Sequence, residues 1–111
     1  GGRAAISPLV EVELASALSR KVRSGELSEA DGRKVLRQFQ RHVADGVYEV
    51  LPLGAKEYGV ACDWLARFDT PLRTLDALHL AVAFCHRRTL VTADETLSRG
   101  AAVLGVSATT V

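Results

Sequence analysis

Arg3-Ala4-Ala5-Ile6-Ser7-Pro8-Leu9-Val10-Glu11-Val12-Glu13-Leu14 (RAAISPLVEVEL) reads as a strand handed directly to a helix. Arg3 to Ile6 is short and apolar, Ser7 suits an N-cap, and Pro8 suits the first helical position, where its missing N–H costs nothing. From Leu9 to Val22 the residues Val10, Leu14, Ala17, Leu18 and Val22 recur three or four apart and form one apolar stripe. Lys21 and Arg23 close that helix before Ser24-Gly25.

The same grammar repeats downstream. Ser28 with Asp31 three residues on resembles a capping box, and the helix behind it carries Val35, Leu36, Phe39 and Val43 before Asp45-Gly46 ends it. Val47 to Leu53 (VYEVLPL) is β-branched and aromatic enough for a strand, with Pro52 near its end. Gly54 opens a helix expected to turn Tyr58, Cys62 and Leu65 inward and to finish near Phe68. After the loop Asp69-Thr70-Pro71, Thr74 caps a long apolar helix from Leu75 to about His86. Thr89 to Ala93 (TLVTA) is a short strand, Asp94 to Leu104 a helix stopped by Gly105, and Val106 to Val111 a last strand. Strands alternating with helices imply a parallel sheet covered on both faces, a three-layer α/β/α sandwich.

Composition bounds the rest. A chain of 111 residues is one domain, able to bury about two thirds of its unfolded surface. Its 48% hydrophobic and 24% charged residues are those of an ordinary globular domain, and no apolar run reaches the roughly 18 residues of a membrane span. The expected location is cytoplasmic, with no membrane partner. The net charge of +1 is no signature of a strong nucleic-acid binder, so such chemistry must come from a site or from local charge. Cys62 and Cys85 lack metal or CxxC spacing and read as small buried hydrophobes. No Gly-rich phosphate loop is present, so no nucleotide cofactor is expected.

In an open parallel sheet the functional crevice lies at the carboxyl ends of the strands. Glu13 follows the first strand by about two helical turns, Asp76 opens the Leu75 helix, and Asp94 comes directly after Thr89 to Ala93. Converging carboxylates repel unless a hard divalent cation sits between them, and an oxygen-only donor set favours Mg²⁺ or Mn²⁺ over zinc. Such a site suits in-line hydrolysis of a phosphodiester. Each acid also has an ordinary role open to it. Glu13 suits a solvated helix flank, with Glu11 an equal candidate by periodicity; Asp76 complements a helix dipole, and Asp94 suits an N-cap.

Ser7-Pro8-Leu9-Val10-Glu11-Val12-Glu13-Leu14, Leu72-Arg73-Thr74-Leu75-Asp76-Ala77-Leu78-His79-Leu80-Ala81 and Leu90-Val91-Thr92-Ala93-Asp94 together resemble the PIN-domain ribonucleases, most closely the VapC toxins of toxin–antitoxin pairs. The resemblance implies a metal-dependent endoribonuclease that binds Mg²⁺ or Mn²⁺, cleaves an RNA substrate, is inhibited by a cognate antitoxin and is usually a homodimer. It implies Glu13, Asp76 and Asp94 as metal-binding acids, and family spacing chooses Glu13 over Glu11. Thr92 matches the threonine before the last acid, where it supports that acid or a bound water, or simply packs in the strand.

PIN domains open on a strand ending in an aspartate, within Asp-Thr-Ser or Asp-Ser-Ser, and then a helix; this sequence starts where their second strand would. The expectation is therefore a single PIN-like sandwich over residues 1–111, N-terminally incomplete and short of one acid. The flank of its first strand should be lined by unpaired backbone groups. It is expected to be a piece of a longer protein, or to be completed by strand exchange with a second copy. A catalytically inert module that binds an antitoxin or itself is the alternative function.

Other features have two readings each. Arg20, Lys21, Arg23, Arg33, Lys34, Arg37 and Arg41 outnumber the nearby acids Glu26, Glu29 and Asp31, which suits a solvated hairpin face, an RNA track or, by the resemblance, an antitoxin surface. His79, one helical turn after Asp76, reads as a hydrogen-bonded core histidine or as a residue touching the site. Arg73 suits a surface ion pair or a phosphate contact. Trp64 and Phe68 read as core or dimer contact rather than a base-stacking platform.

Overall fold

The computed structural model of the chain describes residues 3–93 and residue 95. In order come β1 (Ala4–Ile6), α1 (Leu9–Arg23), α2 (Glu29–Ala44), β2 (Tyr48–Val50), α3 (Ala55–Leu65) and α4 (Thr74–His86). β1 and β2 pair in parallel, Ala4 opposite Tyr48 and Ile6 opposite Val50. The strand predicted over Thr89 to Ala93 contributes one parallel bridge, Leu90 opposite Ala5, with the Val91 N–H donating to the Ala5 carbonyl at 2.8 Å. That bond satisfies the Ala5 carbonyl on the flank where the sequence predicts unpaired backbone. Asp94, the rest of the helix predicted to Leu104 and the strand predicted from Val106 to Val111 lie outside the described residues.

Pleat alternation sends neighbouring residues of a strand to opposite faces, and that builds the layers. Ile6 and Tyr48 join Val10, Leu14, Leu18, Val35 and Phe39 in a core under α1 and α2. Ala5 and Leu51 pack instead with Val82 of α4. α3 meets α4 through Ala61, Ala77 and Ala81, whose small side chains let the two helices pack closely. The parallel strands thus carry helices on both faces, which is the predicted α/β sandwich.

The helix ends follow local chemistry. Ser28 accepts the Asp31 N–H at 3.0 Å, so that predicted cap forms, whereas α1 begins at Leu9 with Pro8 rather than Ser7 at its N-cap position, and Ser7 Oγ accepts the Leu9 N–H at 3.2 Å from one residue further back. α1, α2 and α4 all end in a Schellman turn, in which a backbone N–H reaches back five residues to a carbonyl: Glu26 to Lys21 at 2.9 Å, Val47 to His42 at 2.9 Å, Arg88 to Ala83 at 3.1 Å. The turn needs a left-handed residue, supplied by Gly25 (φ 80°) and Gly46 (φ 76°), but by Arg87 (φ 53°) after α4.

Packing overrides several expectations. Tyr58 is 59% exposed and Cys62 is exposed; α3 buries Glu57 and Ala61 instead, with Val60, Trp64 and Leu65 packed beside Ala61. Apolar residues lie on more than one side of that helix, and the alanine face of α4 selects the side on which Ala61 fits. The Glu57 carboxylate, on the buried side, accepts the Gly54 N–H at 2.7 Å. Cys85 is half-buried. Lys21 does not merely close α1 but is buried at 3% exposure. Thr74 is the first residue of α4 rather than its cap; Arg73 takes the N-cap position without a side-chain bond. Trp64 packs edge-on against Phe84 at a ring separation of 5.6 Å, whereas Phe68 is 93% exposed.

Candidate active site

Three segments deliver the site. β1 runs into α1 through Ser7-Pro8, which brings Glu13 to the second turn of α1; Asp76 sits in the first turn of α4; Thr92 follows the Leu90 bridge. Glu13, Asp76, His79 and Thr92 line one cleft of about 660 Å³. The predicted residues Glu13, Asp76 and Thr92 are therefore brought to one cleft by the fold, and Asp94 lies outside the described residues. Among the described residues no three His, Cys, Asp or Glu side chains form a ready metal cage.

Glu11, the competitor of Glu13 by periodicity, is turned away. Its Oε2 accepts from Gln40 Nε2 of α2 at 3.2 Å, whereas Glu13 Oε1 meets His79 Nε2 of α4. The other ring nitrogen, Nδ1, lies 2.8 Å from the hydroxyl of fully buried Ser7. His79 is thus the hydrogen-bonded histidine that the sequence suggested, and it also lines the cleft. Ser7 was legible as a helix cap alone. No local pattern announces its second bond, because the partner arrives from a distant part of the chain.

Thr92 Oγ1 accepts the Glu95 N–H at 3.2 Å and lies 3.3 Å from Glu95 Oε1. Thr92-Ala93-Asp94-Glu95 has the T-x-x-E spacing of a capping box, a signal available in the sequence beside the simpler reading of Asp94 as cap. On another wall Arg88 binds Glu49 at 2.7 Å and the Arg3 carbonyl at 3.1 Å. The hydrogen bond from Arg88 holds the Glu49 carboxyl below the usual carboxylate range, with the Arg88 and Arg3 charges adding to it. That guanidinium ties the residues after α4 to β2 and to the residue that precedes β1.

The donor chemistry fits a hard divalent cation. Glu13 and Asp76 offer carboxylate oxygens and Thr92 a hydroxyl, while His79 Nε2 is engaged with Glu13 and is not offered as a ligand. Oxygen-only sets of this kind favour Mg²⁺ or Mn²⁺.

The family model of the PIN domain matches residues 1–103. The chain belongs to the PIN-domain family. PIN domains are in general metal-dependent nucleases acting on RNA or DNA, and their fold is α/β. In this PIN domain the acids Glu13 and Asp76 share the cleft just described. No curated protein and no solved structure matches the chain. No helix among the described residues of this PIN domain is long and apolar enough to cross a membrane.

Proposed function

We propose that the chain is a metal-dependent endoribonuclease of the toxin–antitoxin type, hydrolysing RNA phosphodiester bonds at a site built from Glu13, Asp76 and Asp94 with Thr92 alongside. The observation that carries this reading is that Glu13 and Asp76, from helices in different layers of the sandwich, bring two carboxylates to one cleft. Mg²⁺ or Mn²⁺, when bound, would supply an acidified water and charge stabilisation at phosphorus. The carboxylates of Glu13, Asp76 and Asp94 would hold the ion, and the Thr92 hydroxyl, bonded to Glu95, would support the neighbouring acid or a bound water. The Arg-rich α1–α2 hairpin is the surface proposed for a cognate antitoxin, and the active assembly is proposed to be a cytoplasmic homodimer.

A second reading, a catalytically inert PIN module that binds an antitoxin or itself, is favoured by one observation. Leu80 and Phe84 of α4 are 47% and 66% exposed along a groove shared with Trp64, more apolar surface than a solvated helix needs. RNA cleavage by the wild type, Asp76→Asn and Asp94→Asn, each with Mn²⁺ and with EDTA, separates the two. Cleavage that requires Mn²⁺ and falls at least about 100-fold in both variants supports the nuclease. Equal silence of all three proteins supports the inert module.

A further inference from the structure

Ser7 is 0% exposed, and its hydroxyl oxygen already accepts the Leu9 N–H. A buried hydroxyl still has a hydrogen to place, and an apolar surround would leave that donor unsatisfied at a cost. His79 Nδ1, 2.8 Å away, is the acceptor. An Nδ1 that accepts carries no hydrogen, so the ring hydrogen sits on Nε2, which faces Glu13 Oε1. Three residues from β1–α1, α1 and α4 therefore form a chain with one direction, Ser7 to His79 to Glu13.

The geometry points to His79 as a positioning residue for the acidic site: it holds Glu13 by Oε1 and leaves Oε2 as the oxygen offered to a divalent cation, while Ser7 fixes the ring. Glu13 has three rotatable side-chain bonds, and a carboxylate left to wander pays the entropy of ordering each time an ion arrives. A carboxylate already held by an outer partner does not, and such partners are worth 10- to 100-fold in metal affinity. His79 lies one helical turn after Asp76 on α4, so the same helix that presents the second carboxylate also aims the first. Nothing in this arrangement makes His79 a ligand or a base.

This inference rests on the reading of the cleft as a cation site, and the test separates the two. The metal-free 111-residue chain is observed by long-range proton–nitrogen NMR of the histidine rings, and Mn²⁺ binding is followed by calorimetry in wild type, His79→Ala, His79→Gln and Ser7→Ala. The expected results are an Nε2–H tautomer for His79 in the wild type, shifting toward a mixture in Ser7→Ala, and Mn²⁺ affinity about 10- to 100-fold weaker in His79→Ala. His79→Gln, whose amide can still donate to Glu13, is expected to bind within a few-fold of wild type, a rescue that a purely structural brace would not produce. An Nδ1–H tautomer, or wild-type affinity in His79→Ala, overturns the positioning role while leaving the cation site intact. Wild-type protein that binds no Mn²⁺ overturns the cation-site reading and the inference with it. Should His79→Ala fail to fold, His79→Gln and the Ser7→Ala spectra still decide the matter.

Discussion

Glu11 and Glu13 stand two positions apart on α1 and serve different layers: Glu11 bonds Gln40 of α2, and Glu13 bonds His79 of α4 in the cleft. Two residues advance a helix by about 200°, so only one of the pair can face the site. Glu13→Gln is expected to lower RNA-cleavage efficiency at least about 100-fold, whereas Glu11→Gln should stay within about twofold. Steady-state cleavage of one RNA by both variants checks this, and equal loss in the two would remove Glu13 from its assigned place.

Arg87 holds the left-handed position that Gly25 and Gly46 hold after α1 and α2. A side chain there costs about 1–2 kcal/mol, partly offset by the flexibility glycine adds to the unfolded chain. Arg87→Gly should therefore stabilise the fold by about 0.5–1 kcal/mol, read as a higher midpoint in urea unfolding. A lower midpoint would mean that the Arg87 side chain contributes more than its backbone strain costs.

Glu49 is held in its charged form by Arg88, so its folded pKa is depressed. The stability it contributes is fully present above the ordinary Glu value of about 4.3 and is lost as pH falls below that toward the folded value. Compared with Glu49→Gln, the wild type should keep a constant margin in thermal unfolding from pH 7 to 5, and that margin should shrink below pH about 4. A margin that grows on acidification would contradict the sign.

The inward face of α3 is tested by two opposite substitutions. Tyr58→Ser, at an exposed position, should change stability by no more than about 0.5 kcal/mol. Ala61→Leu, against buried Ala77 and Ala81, should cost about 1–3 kcal/mol through overpacking. Denaturant unfolding of both variants reads the register directly; a large loss in Tyr58→Ser with tolerance at Ala61 would restore the orientation expected from periodicity.

Much of this protein is written locally. The cap at Ser28, the glycine stops at Gly25 and Gly46, the apolar stripe of α1 and the strand at Tyr48–Val50 depend on interactions within a few residues, and each is where the sequence places it. The alternation of these elements implies the parallel α/β sandwich, and residues quoted from three segments point to Glu13, Asp76 and Thr92. Contacts between distant segments are another matter. Which side of α3 faces inward, the burial of Lys21, the clasp of Arg88 on Glu49 and the passage from Ser7 through His79 to Glu13 all depend on partners brought together by packing. A helix such as α3, apolar on more than one side, has no preferred face until a neighbour offers a surface of matching shape. A buried hydroxyl likewise has no determined acceptor until the chain folds around it.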